Sequence, residues 1–360
     1  MLSHLNHSPI DFHFTKNAKN FIVEEIPLYP FSGKGEHLIL KIRKKELSTF
    51  DLLNIFSKKL NIKKSDIGYA GLKDKNALSI QYISINKKFI KNIESLDIEN
   101  IKILDSTYHD NKIKIGHLKG NKFFIRIKKL NKINSNKIQN IIKIILDSGM
   151  PNYFGFQRFG NNGNNYDDGK ALLQNKLKIR DKKLSKFLIS AYQSHLFNNW
   201  LQKRIEISRI VNDFSLQDSI HALKIESKII KDLKNQKHFF KILDGDVMQH
   251  YPHGKLFIND DIQNNIRFYN HQISPTGLLY GAKSILAKGL AGQIESEFVD
   301  NLLNREIGSR RFAWIFIDHL EFDYKEEIAN GEFNFSLPKG SYATILLNLI
   351  ANRELEIKDN

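Results

Sequence analysis

The stretch IGYAGLKDKNALSIQYISI, residues Ile67 to Ile85, holds two strand patterns folded around one carboxylate. Ile67 to Gly71 is a short apolar run ending on a glycine hinge. After it, Leu78, Ile80, Tyr82 and Ser84 alternate with Ser79, Gln81, Ile83 and Ile85, the period of two that marks a strand. Asp74, set between Lys73 and Lys75, falls at the corner where one strand turns into the next. An aspartate flanked by lysines is ordinarily a solvated turn residue. Its place at a rigid strand-to-strand corner makes Asp74 the candidate catalytic group of the chain.

On the N-terminal side, HLILKIRKK (His37 to Lys45) alternates as a strand. STFDLLNIFSKKL follows, with Ser48 as a cap and Phe50, Leu53, Phe56 and Leu60 at helical spacing. On the C-terminal side come a strand near Ile101 to Leu104 and the segment KIKIGHLKGNKFFIRIKKL, whose alternation predicts a hairpin turning near Lys119 and Gly120. A helix is expected from about Ser135 to Asp147, stopped by Gly149 and Pro151. The next stretch, NYFGFQRFGNNGNNYDDGK, is too rich in glycine and asparagine to be regular over most of its length, and it places a domain boundary near Asn152. A long helix from about Lys182 to Glu206 carries Leu184, Phe187, Leu188, Ala191, His195 and Leu196, with His195 read as a residue of its packed face. Strands are expected at Phe312 to Leu320 and Phe333 to Leu337, and a helix at Ser341 to Asn352. Strands and helices mixed without regular alternation predict an α+β fold rather than a doubly wound sheet.

With 360 residues, 41% of them apolar, the chain can bury a sizeable core and form two domains. It has no cysteine, so disulfides, thiolate metal sites and cysteine nucleophiles are excluded. No apolar run approaches the roughly 18 residues that span a bilayer, and the start lacks a signal-peptide pattern, so no membrane partner and a cytoplasmic address are expected. His250 and His253 in QHYPHG have a metal-like spacing, but they share a proline-glycine turn without a third ligand, and no metal is assigned. The formal charge of +16 points to a polyanionic partner, nucleic acid first. The parallel abundance of Lys, Asn and Ile is an alternative source of that charge.

Six segments, in order, resemble one family, the TruD-type tRNA pseudouridine synthases. They are FIVEEIP with SGKGEHLILKIRK (Phe21 to Lys44), GYAGLKDK (Gly68 to Lys75), GHLKGNKFFIRI (Gly116 to Ile127), PNYFGFQRFG (Pro151 to Gly160), SPTGLLYG (Ser274 to Gly281), and GSRRFAW (Gly308 to Trp314) with FSLPKGSYATILL (Phe335 to Leu347). The resemblance covers about Phe21 to Leu349. It implies isomerisation of uridine to pseudouridine in tRNA, at position 13 of the D arm, with no cofactor. It also implies a pseudouridine-synthase catalytic domain from residues 1–152 and 310–360, built on a mixed, mainly antiparallel sheet flanked by helices, with an α/β TRUD domain inserted at 153–309.

In that resemblance Asp74 matches the catalytic aspartate. A carboxylate, ordinarily with a pKa of ~3.9, is ionised at neutral pH and can attack as a nucleophile or stabilise developing positive charge on the sugar. An anion in a dry, apolar-walled pocket needs a cation or donors beside it. The family places a lysine about six residues before the phenylalanine of FIVEE. That position is Thr15 here, and Lys16 is chosen as the basic partner, with Lys19 nearby and Lys73 adjacent to the aspartate. Asn121 and Phe123 are implied to line the pocket, the amide touching substrate and the ring stacking on the target base, with Phe335 a second aromatic wall. Taken alone, the alternation of Phe123, Ile125 and Ile127 is what any half-buried strand shows. Arg158, Arg310 and Arg311 are expected as phosphate ligands, and Phe156 departs from the family pattern.

The preferred reading is thus a metal-free and cofactor-free tRNA isomerase acting as a monomer. A non-catalytic RNA-binding or RNA-folding protein shares the charge and aromatics without requiring Asp74. A metal-dependent nuclease would need converging carboxylates, and neither Asp66 nor Asp167 with Asp168 is placed to converge on Asp74.

Overall fold

The computed structural model describes residues 3–92, 98–160, 162–355 and 358–359. The chain divides into two compact units. One comprises Pro9–Ile142, Ile317–Gly340 and Leu355–Asn360, the other Met1–Ser8, Lys143–Phe316 and Ser341–Glu354. These bounds fall at 142/143 and 316/317, within ten residues of the boundaries expected from sequence. Met1–Ser8 and Ser341–Glu354 are shared out differently from that expectation.

The first unit is built on a sheet of eight strands among the described residues: β1 (Phe21–Pro27), β2 (His37–Lys45), β3 (Gly68–Tyr69), β4 (Leu78–Asn86), β5 (Ile101–His109), β6 (Leu118–Lys128), β7 (Leu320–Lys325) and β8 (Asn330–Pro338). Their order is β7-β8-β6-β1-β4-β2-β5, with β3 paired to β4 off that path. β1 and β4 run parallel, and the other pairs are antiparallel. The expected mixed, mainly antiparallel α+β architecture is what the chain forms.

One face of this sheet is closed by the helix Thr49–Leu60. Ser48 and Asp51 form a capping box at its start, and Asn61, in the left-handed region, ends it. Leu52, Leu53, Phe56 and Leu60 pack against Leu38, Leu40 and Ile42 of β2 and Ile83 and Ile85 of β4. Burying a side chain such as Phe56 contributes about 1.5–3 kcal/mol. Phe50, expected in this stripe, is instead 50% exposed, and Leu52 takes the inner position. The opposite face holds a smaller cluster of Ile39, Ala70, Ile113 and Leu118.

The hairpin expected at Lys119 and Gly120 is not there. Both residues lie inside β6, and the chain turns earlier, where Gly116 adopts φ +92° and its N–H donates to Ala70 O at 2.8 Å. Gly120 is required for another reason: a Cβ there would lie 2.4 Å from Leu337 O on the neighbouring strand.

In the second unit the 32-residue helix Lys182–Asp213, capped by Asp181, carries the packing. A four-stranded antiparallel sheet runs in the order Leu256–Ile258, Val247–His250, Ile273–Leu279, Ser309–Phe312. The asparagine-rich stretch holds a short 3-10 turn at Phe156–Arg158 and then the helix Asn165–Leu173. Its Gly169 lies in the stretch expected to be largely irregular. In space it lets the helix press on its neighbour, since a Cβ would meet Leu188 O at 2.1 Å. The strand expected at Phe312 to Leu320 is broken into Ser309–Phe312, Trp314–Ile315 and, in the first unit, Leu320–Lys325.

Candidate active site

Register across the first unit's sheet sets out the site. On the face that carries the helix Thr49–Leu60, Phe335 (β8), Phe123 (β6), Val23 (β1), Ser79 (β4) and Lys44 (β2) stand side by side in one row. The adjacent row places Leu337 beside Asn121 and Asn121 beside Glu25. Farther along the sheet this face is apolar core. At this end it carries an amide, a carboxylate and an ammonium group.

The loop holding Asp74 joins β3 to β4 above these rows and is tied down from both sides. Lys73 N–H donates to Thr49 Oγ1 at 2.9 Å, and the Thr49 hydroxyl donates to Gln81 Oε1 at 3.1 Å. Ala77 accepts from Glu46 N–H through its carbonyl. Asp74 is therefore fixed by its backbone neighbours, as expected of a corner. Its side chain is not dry, however. It is 43% exposed, and Oδ2 pairs at 3.1 Å with Lys16 Nζ, whose side chain is only 6% exposed. The burial expected for the anion falls on the cation instead, which leaves the carboxylate accessible to a substrate.

Lys16 is the basic partner chosen from sequence, and local structure explains why it reaches Asp74. It lies on the short strand Thr15–Lys16, which pairs in parallel with Lys358–Asp359. A tight turn follows, in which Phe21 N–H donates to Asn17 O and Asn20 Nδ2 to Thr15 O. That turn brings Lys16 Nζ to 5.5 Å from the Phe21 ring centroid, a cation–π distance.

Lys73 points inward. Its Nζ lies 2.9 Å from Glu25 Oε1 and donates to Asn121 Oδ1 at 2.9 Å, and Glu25 Oε2 accepts from Tyr82 N–H at 2.8 Å. Behind these groups Lys44 is fully buried, its Nζ donating to Leu47 O. Burial, with Lys73 acting in the same direction, pushes the Lys44 amine down to about 8, against the pull of Asp74, Asp51 and Glu25. Ser79 Oγ and Gln81 Nε2, next to it on the sheet, are buried without a protein partner.

The aromatic residues form a row. Phe21 stacks on Phe123 (6.1 Å, 22°) and Phe123 on Phe335 (5.2 Å, 21°). Phe123 is 8% exposed and Phe335 2%. Phe335, expected as a second wall, stands behind Phe123 and acts as core. Asn121 is half-buried, on the same side of β6 as Phe123.

The three arginines expected to bind phosphate lie in the second unit and are engaged internally. Arg310 forms a buried pair with Glu295 at 2.6 Å and donates to Thr276 O. Arg311 donates to Asn152 O, Asn152 Oδ1 and Tyr153 O, its carbon Cζ 4.0 Å from the Phe154 ring centroid, and burial pushes its guanidinium down to about 10. Arg158 donates to Ser190 and Ser194 and faces the Phe154 and Phe187 rings. These guanidiniums cross-link loops to helix and strand. An arginine in a motif carries no mark in sequence that separates this use from phosphate binding. His195 is a packed face residue as read, stacked on Tyr166 at 3.9 Å and bonded to Asn199.

Sequence reasoning missed Glu25 and Lys44, yet both left a signal. Phe21, Val23 and Glu25 share one phase of β1, and Leu38, Leu40, Ile42 and Lys44 one phase of β2. A charged residue at a core-phase position is buried with a partner or held for a function.

A cation paired with a reachable carboxylate, an oriented amide and a stacked ring gather at one end of the sheet's central strands, groups able to attack a nucleoside. The family model described as tRNA pseudouridine synthase D (TruD) matches residues 4–180 and 174–350. The chain is 51% identical to tRNA pseudouridine synthase D of Wolinella succinogenes over 358 residues, covering 99% of both chains. It is 50% identical to that of Nitratiruptor sp., covering 98% of both, and 48% identical to that of Helicobacter acinonychis, covering 100% of this chain and 98% of the relative. The crystal structure of the Methanosarcina mazei protein assigned as tRNA pseudouridine synthase D superposes with a TM-score of 0.67 over 98% of this chain and 96% of that one, at 20% identity, a likeness of fold. The chain belongs to the tRNA pseudouridine synthase D family, whose members isomerise uridine to pseudouridine in tRNA.

Proposed function

We propose that this chain converts uridine 13 in the D arm of tRNA to pseudouridine, as a monomer in the cytoplasm, with Asp74 as nucleophile and neither metal nor cofactor. The ion pair between Lys16 and the accessible Asp74 is the observation that carries the reading. The buried ammonium holds the carboxylate in place while one of its sides stays open to the nucleoside. Asp74 bonds to the nucleoside and is released again as the bond from N1 of the base to C1′ of the ribose breaks, the base turns, and C5 bonds to C1′. C5 gives up its proton and N1 gains one, so atoms and electrons balance without an added reactant. Asn121 binds the substrate through its amide, and the accessible edge of Phe123 meets the base. Catalysis belongs to the unit containing 9–142 and 317–340. Residues 143–316 supply the family-specific domain.

The test follows the proton. Transfer RNA tritiated at C5 of uridine releases tritium to water as C5 bonds to the ribose. Wild-type protein should release it, and Asp74→Asn should bind the same RNA and release none. Release undiminished in Asp74→Asn would remove the aspartate from the mechanism. The reading of a non-catalytic RNA-binding protein predicts no release from either.

A further inference from the structure

The Asn121 amide has two ends, and the structure shows which one is engaged. Lys73 Nζ donates to Oδ1 at 2.9 Å, so the Nδ2 amino group is the end left to meet a substrate. An ammonium has three donors and no acceptor, so while Lys73 is charged the amide cannot turn over without setting donor against donor. Lys73 is itself held by Glu25, at 2.9 Å from Oε1, and Glu25 is anchored through Oε2 to Tyr82 N–H. Glu25 stands directly opposite Asn121 in the β1–β6 ladder, and both Glu25 and the Lys73 side chain are buried. A buried carboxylate on a core-phase strand position is costly unless paired, and here its partner grips the substrate-facing amide.

We infer that Glu25 is a positioning residue for the isomerisation: acting through Lys73, it holds Asn121 as a hydrogen-bond donor toward an oxygen acceptor of the substrate nucleoside. This rests on the proposed function of the site. The substrate atom is an acceptor, a uracil carbonyl or a ribose oxygen, and never the N3–H of the base. Glu25 does not touch substrate.

The charged groups facing Lys73 give the assignment a signature that simple packing lacks. Lys73 is next to Asp74 in the chain, Glu25 faces it from β1, and Lys44 acts on it electrostatically from β2. Replacing Glu25 by Gln removes the carboxylate that holds Lys73, so the ammonium is free to swing away from Asn121 Oδ1. The Asn121 amide can then turn over, and the donor to substrate is lost.

The experiment compares wild type and Glu25→Gln by tritium release from C5-labelled tRNA, with tRNA binding and thermal unfolding followed alongside. The expected result is unchanged tRNA affinity and kcat reduced by about tenfold at a temperature where both proteins are fully folded. A Glu25→Gln kcat equal to that of the wild type overturns the inference. So does a loss that follows the unfolded fraction, since that is a structural role. If Glu25→Gln does not fold, Asn121→Asp decides. It has nearly the same shape and keeps Lys73 paired, but it replaces the donor by an acceptor. Loss of kcat by about 10²-fold or more with tRNA still bound supports the assignment, and wild-type turnover overturns it. A wild-type protein that releases no tritium rejects the proposed function itself, an outcome distinct from either variant's result.

Discussion

Lys16 and Asp74 share their ion pair unequally: the lysine is buried beneath Phe21, and the aspartate opens outward. The cation therefore bears the desolvation, and the carboxylate stays free to react. Replacing Lys16 by Met should lower kcat by about 10–10²-fold, because the preorganised charge beside the reacting oxygen is gone. Stability should change by no more than about 1 kcal/mol, since Asp74 stays solvated and Met fills the lysine's apolar surroundings. Single-turnover pseudouridine formation and urea unfolding measure the two effects separately.

Arg310 is a structural cross-link. Arg310→Ala leaves Glu295 buried without its partner and should cost about 3–5 kcal/mol. In the protein that remains folded, the slope of log affinity for tRNA against log salt should match the wild type. A slope shallower by about one unit would restore Arg310 as a phosphate ligand.

Phe335 should behave as core. Stacked on Phe123 and almost fully buried, it should cost about 3–5 kcal/mol when cut to Ala. Phe335→Leu, which keeps most of the volume, should cost far less and retain tRNA affinity. Chemical unfolding with parallel binding measurements checks this.

Two buried histidines make the second unit sensitive to acid. Burial holds His4 down to about 3 and His238 down to about 4, both from 6.5, with neighbouring positive groups adding to the effect on His4 and backbone carbonyls of Ser148 and Phe240 opposing it on His238. Both are neutral in the fold, while the unfolded chain takes up protons below about pH 6.5. Stability is therefore full above that pH and falls as pH drops toward 4, by about 2 kcal/mol per histidine at pH 5. His4 packs against Trp314 and Phe239 with both ring nitrogens buried and unbonded. His4→Phe should remove its share of the acid loss and raise stability at pH 7.5 by about 1 kcal/mol. Urea unfolding at pH 7.5 and 5 reads both.

The Asp74 corner, the helix after Ser48 and the Lys16 partner were legible because each depends on local pattern: an alternating strand, a cap, a short span to the FIVEE phenylalanine. Glu25 and Lys44 were legible in principle, since a two-residue period assigns them to the core face, but their purpose appears only when Asn121, Lys73 and Asp74 come together from distant segments. Gly120 was misread as a turn residue, and Gly169 fell in a stretch expected to be largely irregular. Both exist for close backbone approaches that sequence does not display. The internal partners of the arginines were hidden for a related reason: Glu295, Asn152 and Ser190 lie from 15 to 159 residues away in the chain.

Mapping pseudouridine in unmodified tRNA transcripts after incubation with purified wild type and with Asp74→Asn tests the role of Asp74 most directly. Pseudouridine is expected at position 13 with the wild type and none with Asp74→Asn at equal RNA occupancy. Pseudouridine formed equally by both proteins, or by neither, would contradict it.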